Sequence, residues 1–228
     1  MTLSWFQIFR LGFVQMALGA IVVLTTSTLN RLMVVELSLP AILPGLLVGL
    51  HYGIQLTRPH WGFYSDTGGH RTRWIVGGMV ALALGAFLAA SALPIFPQSF
   101  ALGLAVSIVA YALIGLGVGA SGTSLLALLA TTTAPHRRAA AATITWLMMI
   151  FGIAATAGTV GQFIDPYSPA LLIKIVGIVV SIATLVTCIA VWRVERNLIA
   201  LREPDPTPFR DGLKEVWSER KARNFTIF

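Results

Sequence analysis

The sequence predicts an all-α membrane protein with six transmembrane helices, and three observations lead to that class. First, 56% of its 228 residues are hydrophobic and only 11% are charged, whereas soluble domains average about 25% charged residues. Second, the apolar residues form runs close to the roughly 20 residues that cross a bilayer core. Third, basic residues gather in the short segments between these runs, as they do in multi-pass membrane proteins.

Six apolar runs are candidate spans: residues 11–30, 41–57, 74–93, 100–130, 139–164 and 170–192. The fourth is long for one crossing, and a tilted helix would accommodate it. Aromatic side chains in residues 1–10 predict an interfacial segment before the bundle, which itself covers residues 11–193.

Loop charges predict the topology. Five basic residues follow the second and fourth spans: Arg58, Arg71, Arg73, Arg137 and Arg138. Arg31 and Lys174 are exceptions near an outer end, where a long side chain can reach the interface. The loops at residues 94–99 and 165–169 contain no Lys or Arg. Because positive residues are retained in the cytoplasm, both termini are expected to be cytoplasmic. The same distribution explains the net charge of +7 without a nucleic-acid partner, and the single Cys188 excludes a disulfide framework.

The polar segment between the second and third spans is predicted to be a tight hairpin. Gly62 would allow close backbone approach, and Gly69 a turn with positive φ. Asp66 is expected to accept hydrogen bonds from the free amides at the start of the next helix. Arg71 and Arg73 would contact anionic lipid head groups. With Asp66 they are interpreted as a latch between helix ends and not as a substrate site.

Small residues recur every four positions in several spans, notably Gly45, Gly49 and Gly53 in the second and Gly115 and Gly119 in the fourth. This spacing puts them on one helix face, where a neighbouring backbone can approach closely. The stripes therefore predict a tightly packed bundle.

A short similarity between two segments of the chain suggests an internal repeat. Gly62-x-x-x-Asp66 follows the second span, and Gly161-x-x-x-Asp165 ends the fifth. The two copies fall at equivalent places in two three-helix units, on opposite sides of the membrane. An inverted three-plus-three repeat would produce this arrangement.

The character of the chain changes after the sixth span. Residues 194–228 are predicted to be a cytoplasmic linker, with an amphipathic helix after Pro208 whose apolar face contains Phe209, Leu213 and Trp217. The last five residues turn apolar and resemble the start of a further span, so we expect this linker to lead to a second half that is missing.

At this point a family resemblance can be stated. Gly62-x-x-x-Asp66-x-x-Gly69-x-Arg71 resembles the signature of the loop between helices two and three of the major facilitator superfamily. More specific motifs are Thr28-Leu-Asn-Arg-Leu-Met-Val-Val-Glu36, Leu50-His51, Arg58-Pro59, Ser65-Asp66 and Thr143-Ile-Thr-Trp-Leu-Met-Met-Ile-Phe-Gly152. Together they resemble the PucC/LhaA group, the bacteriochlorophyll-delivery (BCD) branch of that superfamily.

The resemblance implies the N-terminal six-helix half of a major-facilitator-type fold in a bacterial inner (intracytoplasmic) membrane. It also implies a factor that delivers (bacterio)chlorophyll, or assists assembly of light-harvesting complexes. The implied cofactor is bacteriochlorophyll or a precursor. The implied partners are the lipid bilayer, light-harvesting or reaction-centre subunits and pigment-synthesis enzymes.

Four side chains are candidates for pigment binding: His51, Gln55, Trp146 and Met149. His51 lies about 10 Å below the interface at 1.5 Å per residue, where an ionisable group is costly and marks a functional candidate. Its imidazole could be the axial ligand of a pigment magnesium, and Gln55 is one turn away. The alternatives are a histidine bonded to a neighbouring helix or one on a transport pathway. Trp146 and Met149 offer polarizable surface, although ordinary core packing would also explain them.

Polar residues also cluster at the outer end of the first span. Asn30, Arg31 and Glu36 fall at the outer interface, where an Arg31–Glu36 contact would stabilise the first loop. The alternative is recognition of a polar pigment substituent or a partner helix.

Three functions remain open: the pigment-delivery or assembly factor, half of a small-solute secondary transporter, and a truncated structural subunit of a photosynthetic membrane complex. The predicted spans contain few charges that could couple ions or bind a polar solute, which counts against the transporter. An enzyme is not expected, because no paired carboxylates, nucleophile constellation or phosphate loop appears at usable spacing.

Overall fold

In a computed structural model, the chain is all-helical over the residues that the structure describes, which are 2–67, 70–197, 211, 214 and 217–219. The helices with described bounds are α1 (Trp5–Val23), α2 (Leu29–Val35), α3 (Ile42–Ile54), α4 (Arg58–Thr67), α5 (Arg71–Ala92), α6 (Phe100–Thr132), α7 (Arg138–Phe163) and α8 (Pro169–Val191). Short 3₁₀ or π turns continue several of them. The predicted all-α class is therefore confirmed over the described residues.

Within the described chain, five segments are long and apolar enough to cross a membrane: Trp5–Val35, Arg71–Ile95, Phe100–Thr132, Pro135–Phe163 and Pro169–Arg196. They correspond to the first, third, fourth, fifth and sixth predicted spans. In place of the second span the structure has the 13-residue α3, a 3₁₀ turn and the polar α4. Because α3 is shorter than the roughly 20 residues of a full crossing, a sixth span remains a prediction.

Serine caps begin three of the long helices. Ser4 accepts from the backbone N–H of Gln7, whose side chain accepts from Ser4 N in return, so α1 opens with a capping box. Ser99 caps α6 and Ser168 caps α8 in the same way, each accepting from an amide three residues later. These polar residues mark the helix starts in the sequence.

The first span is one continuous helical segment. A π-helical turn over Leu24–Thr28 joins α1 to α2, and the hydroxyls of Thr25 and Thr26 donate back to carbonyls of the preceding turn. This back-bonding satisfies the polar run inside an apolar helix. Residues 5–10, part of the predicted interfacial segment, form the first turns of α1.

The predicted hairpin between the second and third spans has a shorter connection than expected, since α4 ends at Thr67 and α5 begins at Arg71. Its first ten residues form α4, and Gly68 and Gly69 lie outside the described residues. An added Cβ on Gly62 would meet Thr123 Cγ2 at 3.5 Å, an ordinary contact, so close backbone approach does not require glycine there. Polar composition indicated a loop, whereas these residues continue a helix that packs against α6.

The bundle is built on two helix pairs, α5 with α6 and α1 with α7. Glycine is required at the first crossing, since a Cβ on Gly85 would lie 2.8 Å from Ile114 N. A Cβ on Gly115 would likewise lie 2.7 Å from His51 O, where α6 meets α3. Here the predicted close approach is confirmed.

The stripe on α3 was interpreted wrongly. Among the described atoms, nothing lies within 4 Å of a Cβ built on Gly45, Gly49 or Gly53. Periodicity shows that residues share a face, but it does not show whether another helix covers that face. The predicted amphipathic helix after Pro208 falls mostly outside the described residues.

Candidate functional site

A cavity of about 330 Å³ lies between α1, α3, α6 and α7. All four predicted pigment-binding candidates line it: His51, Gln55, Trp146 and Met149. They come from α3, from the 3₁₀ turn after it and from α7, which are about a hundred residues apart in the chain. The fold thus brings the sequence candidates to one place.

Four further polar lining residues were not among the candidates: Gln15, Tyr52, Arg58 and Thr123. Arg58 had been interpreted as a topology signal, and Gln15 had not been considered. A signal for Gln15 existed, because it is the only polar side chain in residues 11–24. A lone amide inside an apolar span has to find a partner or face a cavity.

A chain of hydrogen bonds runs from the end of α3 into α4. Arg58 Nη2 donates to Gln55 Oε1, and Gln55 Nε2 lies 2.9 Å from His51 Nε2. The three residues stack because positions three and four apart share one helix face. His51 is 1% exposed and Gln55 is 9% exposed, so this chain of hydrogen bonds runs from an exposed arginine to a buried imidazole.

Two polar atoms of the cavity residues are left without partners. Among the described residues, neither His51 Nδ1 nor Gln15 Oε1 has a hydrogen-bond partner, and both atoms are buried. The other end of the Gln15 amide donates only to the weak acceptor Met149 Sδ, at 3.5 Å. An unmade buried hydrogen bond costs about 1–3 kcal/mol. An ordered water or a bound ligand would complete the bonding of such atoms.

A tyrosine contacts the C-terminal end of the first span. Tyr111 of α6 donates its hydroxyl to Thr25 O at 2.8 Å, and Asn30 Oδ1 accepts from it at 3.1 Å. Asn30 therefore connects α2 to α6, a partner that the sequence did not indicate.

The expected Arg31–Glu36 contact is wrong, since these two described residues form no ion pair with each other. Their spacing of five turns them about 140° apart around a helix, at 100° per residue. Glu36 instead acts on Tyr167 of the loop between α7 and α8. Burial raises the pKa of the Tyr167 hydroxyl, and the negative charge of Glu36 raises it further.

The motif residues at the start of α5 form a second polar cluster. Arg71 pairs with Asp66 at 2.7 Å, and its side chain is 11% exposed against 42% for Asp66. Arg71 also donates to Thr131 Oγ1 and to Ala127 O in α6. The guanidinium thus points into the protein, so the expectation that Arg71 contacts lipid head groups is wrong.

The helix cap predicted for Asp66 is supplied by Glu195. Its two carboxylate oxygens accept from Arg71 N and from Thr72 N, each at 3.0 Å. The second oxygen also accepts from Thr72 Oγ1 at 2.5 Å. Glu195 follows α8 and lies 124 residues from Arg71 in the chain, so only the fold could reveal this cap.

Arg73, two residues after the end of the motif, lines a separate cavity of about 550 Å³ between α4, α5 and α6. Its walls include Trp61 and Trp74, whose ring centroids are 5.7 Å apart. None of the four pigment candidates lines this cavity, although it is the larger one.

A family model described as "PUCC protein" matches residues 28–228. The chain belongs to the PucC family. The resemblance predicted from the motifs is therefore confirmed. No solved structure matches this PucC-family chain.

Named relatives come from phototrophic bacteria. Over its full length the chain is 63% identical to the "Bacteriochlorophyll synthase 44.5 kDa chain" of Rhodobacter capsulatus, covering 54% of that protein. It is 32% identical to "Protein PucC" of Cereibacter sphaeroides, over 95% of this chain and 50% of the relative. This PucC-family chain thus spans about half the length of the curated relatives it matches.

Proposed function

We propose that this chain is a non-catalytic membrane factor that delivers bacteriochlorophyll, or a precursor, to light-harvesting or reaction-centre complexes, or assists their assembly. One observation carries the proposal: the cavity that gathers His51, Gln55, Trp146 and Met149 in a chain of the PucC family. One relative's name contains bacteriochlorophyll, which supports the same class of ligand.

The lining of the cavity suits a large, flat, mainly apolar ligand. Ligand sites are mostly apolar with a few placed polar groups. Here Trp146 and Met149 contribute polarizable surface, and Gln15 and His51 contribute buried polar atoms without partners within the described residues. At about 330 Å³ the cavity is at the lower end of the range for ligand sites. We therefore expect it to hold one edge of a macrocycle, with the remainder directed toward lipid.

The proposal includes a location and a topology. We place the chain in the bacterial inner (intracytoplasmic) membrane with both termini cytoplasmic, which the loop charges support. A sixth span would run through α3, the 3₁₀ turn and α4, a helical stretch of 26 residues from Ile42 to Thr67. With it the chain would form a major-facilitator-type half with the inverted three-plus-three repeat. Light-harvesting or reaction-centre subunits and pigment-synthesis enzymes are the proposed partners.

Pigment retention tests the function directly. The full chain is expressed in a bacterium that makes bacteriochlorophyll, purified in mild detergent, and its long-wavelength pigment absorbance is divided by its protein content. Trp146→Ala should lower this ratio several-fold, because it removes a wall of the cavity. Trp192→Ala is the matched control, since Trp192 is an exposed tryptophan outside the cavity.

Other outcomes would overturn the proposal. A colourless wild-type chain that supports solute uptake in vesicles would favour the transporter half. Co-purification with photosynthetic subunits without bound pigment would favour a structural subunit. Equal loss of pigment in both tryptophan variants would show that the pigment is not in this cavity.

A further inference from the structure

We infer that His51 recognises its ligand by donating a hydrogen bond from Nδ1 to a carbonyl group at the ligand's edge, and does not coordinate the magnesium at the ring centre. The inference rests on the proposed function of the cavity as a pigment site. It replaces the axial-ligand role suggested by the sequence with a different chemistry for the same residue.

The first step is the orientation of the Gln55 amide. Arg58 donates to one end of this amide, and a guanidinium has only N–H donors to offer. The end that faces Arg58 must therefore be the carbonyl oxygen Oε1. The opposite end, the NH₂ group, then faces His51 Nε2 at 2.9 Å. Turning the amide around would place two sets of donors against each other at Arg58.

The second step is the tautomer of His51. Since the NH₂ group of Gln55 can only donate, Nε2 must accept and cannot carry a hydrogen. A neutral imidazole carries its single N–H on the other nitrogen, which is Nδ1. A doubly protonated ring would again set two donors against each other. The hydrogen bonds that run from Arg58 through Gln55 thus select the neutral Nδ1–H form of His51.

The third step concerns magnesium. A metal requires a nitrogen with a free lone pair, but the lone pair of Nε2 is used by Gln55 and Nδ1 carries the proton. Coordination of magnesium would require the hydrogen bond between Gln55 and His51 Nε2 to break or the imidazole to change tautomer. The residues present therefore do not fit an axial ligand in this arrangement.

The fourth step is what His51 can offer instead. Nδ1 is buried and, over the described chain, has no acceptor. An incoming carbonyl oxygen would complete its bonding once the surrounding side chains shift enough to open Nδ1 to the cavity. The cavity has room for an edge of a macrocycle, and the peripheral carbonyl groups of such pigments lie at that edge. Gln15 Oε1, also buried and without a described partner, adds an acceptor to the same lining. The ligand class is thus a planar apolar molecule with a peripheral carbonyl.

The tautomer can be measured without any pigment. The chain contains four histidines, so ¹⁵N-histidine labelling in phospholipid nanodiscs gives few NMR signals, and the His51 signal is the one lost in His51→Gln. We expect the ring to be in the Nδ1–H form and to become a mixture of tautomers in Gln55→Leu. His136→Gln, at an exposed histidine, is the control that should leave the His51 signal unchanged. An Nε2–H form in the wild type would overturn the inference while leaving the proposed function intact.

Pigment pairs test the ligand contact. Affinity is measured for bacteriochlorophyll a and for its metal-free counterpart, with wild-type chain and with His51→Leu. A lost edge hydrogen bond should weaken both pigments by a similar factor, about tenfold, equivalent to about 1.4 kcal/mol. Resonance Raman spectra should show a lowered carbonyl stretching frequency in the wild type that returns to its free value in His51→Leu.

The outcomes separate two failures. If His51→Leu weakens only the magnesium-bearing pigment, the inference is wrong and the axial-ligand role is restored. If neither pigment binds the wild-type chain, the proposed function is wrong. The inference about ligand recognition is then wrong as well, whichever tautomer His51 adopts.

Discussion

The cavity between α1, α3, α6 and α7 and the cluster at the start of α5 are both polar sites in an apolar bundle, but their hydrogen bonding differs. In the cluster, Glu195 accepts from two backbone amides and a hydroxyl, and Arg71 donates to Asp66 and to α6. In the cavity, His51 Nδ1 and Gln15 Oε1 are unpartnered within the described residues. The comparison separates a site whose polar groups hold helices together from one whose unpartnered atoms are available to the proposed ligand.

Removing the cap of the cluster should have the largest effect on stability. Glu195→Ala leaves two amides at the start of α5 without their acceptor and removes a negative charge from a helix N-terminus. We expect a loss of about 2 kcal/mol in the free energy of unfolding, measured by thermal unfolding in detergent. Glu36→Ala is the control, because Glu36 caps no helix in the described chain. An equal loss in both variants would contradict the capping role.

Removing an unpartnered atom of the cavity should act in the opposite direction. Gln15→Leu deletes a buried carbonyl that has no described partner, so the free energy of unfolding should stay the same or rise by up to about 1 kcal/mol. Pigment affinity should fall in the same variant. Unfolding and absorbance titrations on one preparation measure the change in stability and the change in pigment affinity. A loss of stability without a loss of binding would make the cavity a structural site like the cluster.

A third unpartnered group tests how far the comparison extends. The Tyr167 hydroxyl is buried without a partner among the described residues, yet it lies outside the cavity, and burial and the Glu36 carboxylate both raise its pKa. Glu36→Gln should lower that pKa, a small effect visible in an ultraviolet titration as the difference from Tyr167→Phe. Because the folded-state pKa is raised, Tyr167 should lower stability as the pH rises above about 10, the ordinary tyrosine value. An unchanged titration in Glu36→Gln would show that burial alone shifts the pKa.

Most of the helices could be predicted, because the need to satisfy backbone groups in lipid makes long apolar runs helical. The prediction failed where the composition of a segment does not indicate which other helix, if any, packs against it. Residues 58–67 are polar and were expected to form a loop, yet they are helical against α6. The glycines of α3 were expected to face a neighbour, and a Cβ on Gly49 would meet no described atom within 4 Å. In the first case the deciding contact comes from a helix elsewhere in the chain, and in the second the expected contact is missing among the described residues.

By itself, the sequence determined the family and the all-helical membrane class, and it indicated His51 as a candidate, since each follows from composition or from residues close together in the chain. Only the tertiary structure decided that Gln15 joins His51 at one cavity, that Glu195 replaces Asp66 as the cap of α5, and which nitrogen of His51 has a partner. The physical reason is the same for all three. Hydrogen bonds depend on distances of about 3 Å and on direction, and for residues many helical turns apart these are set by how the helices pack.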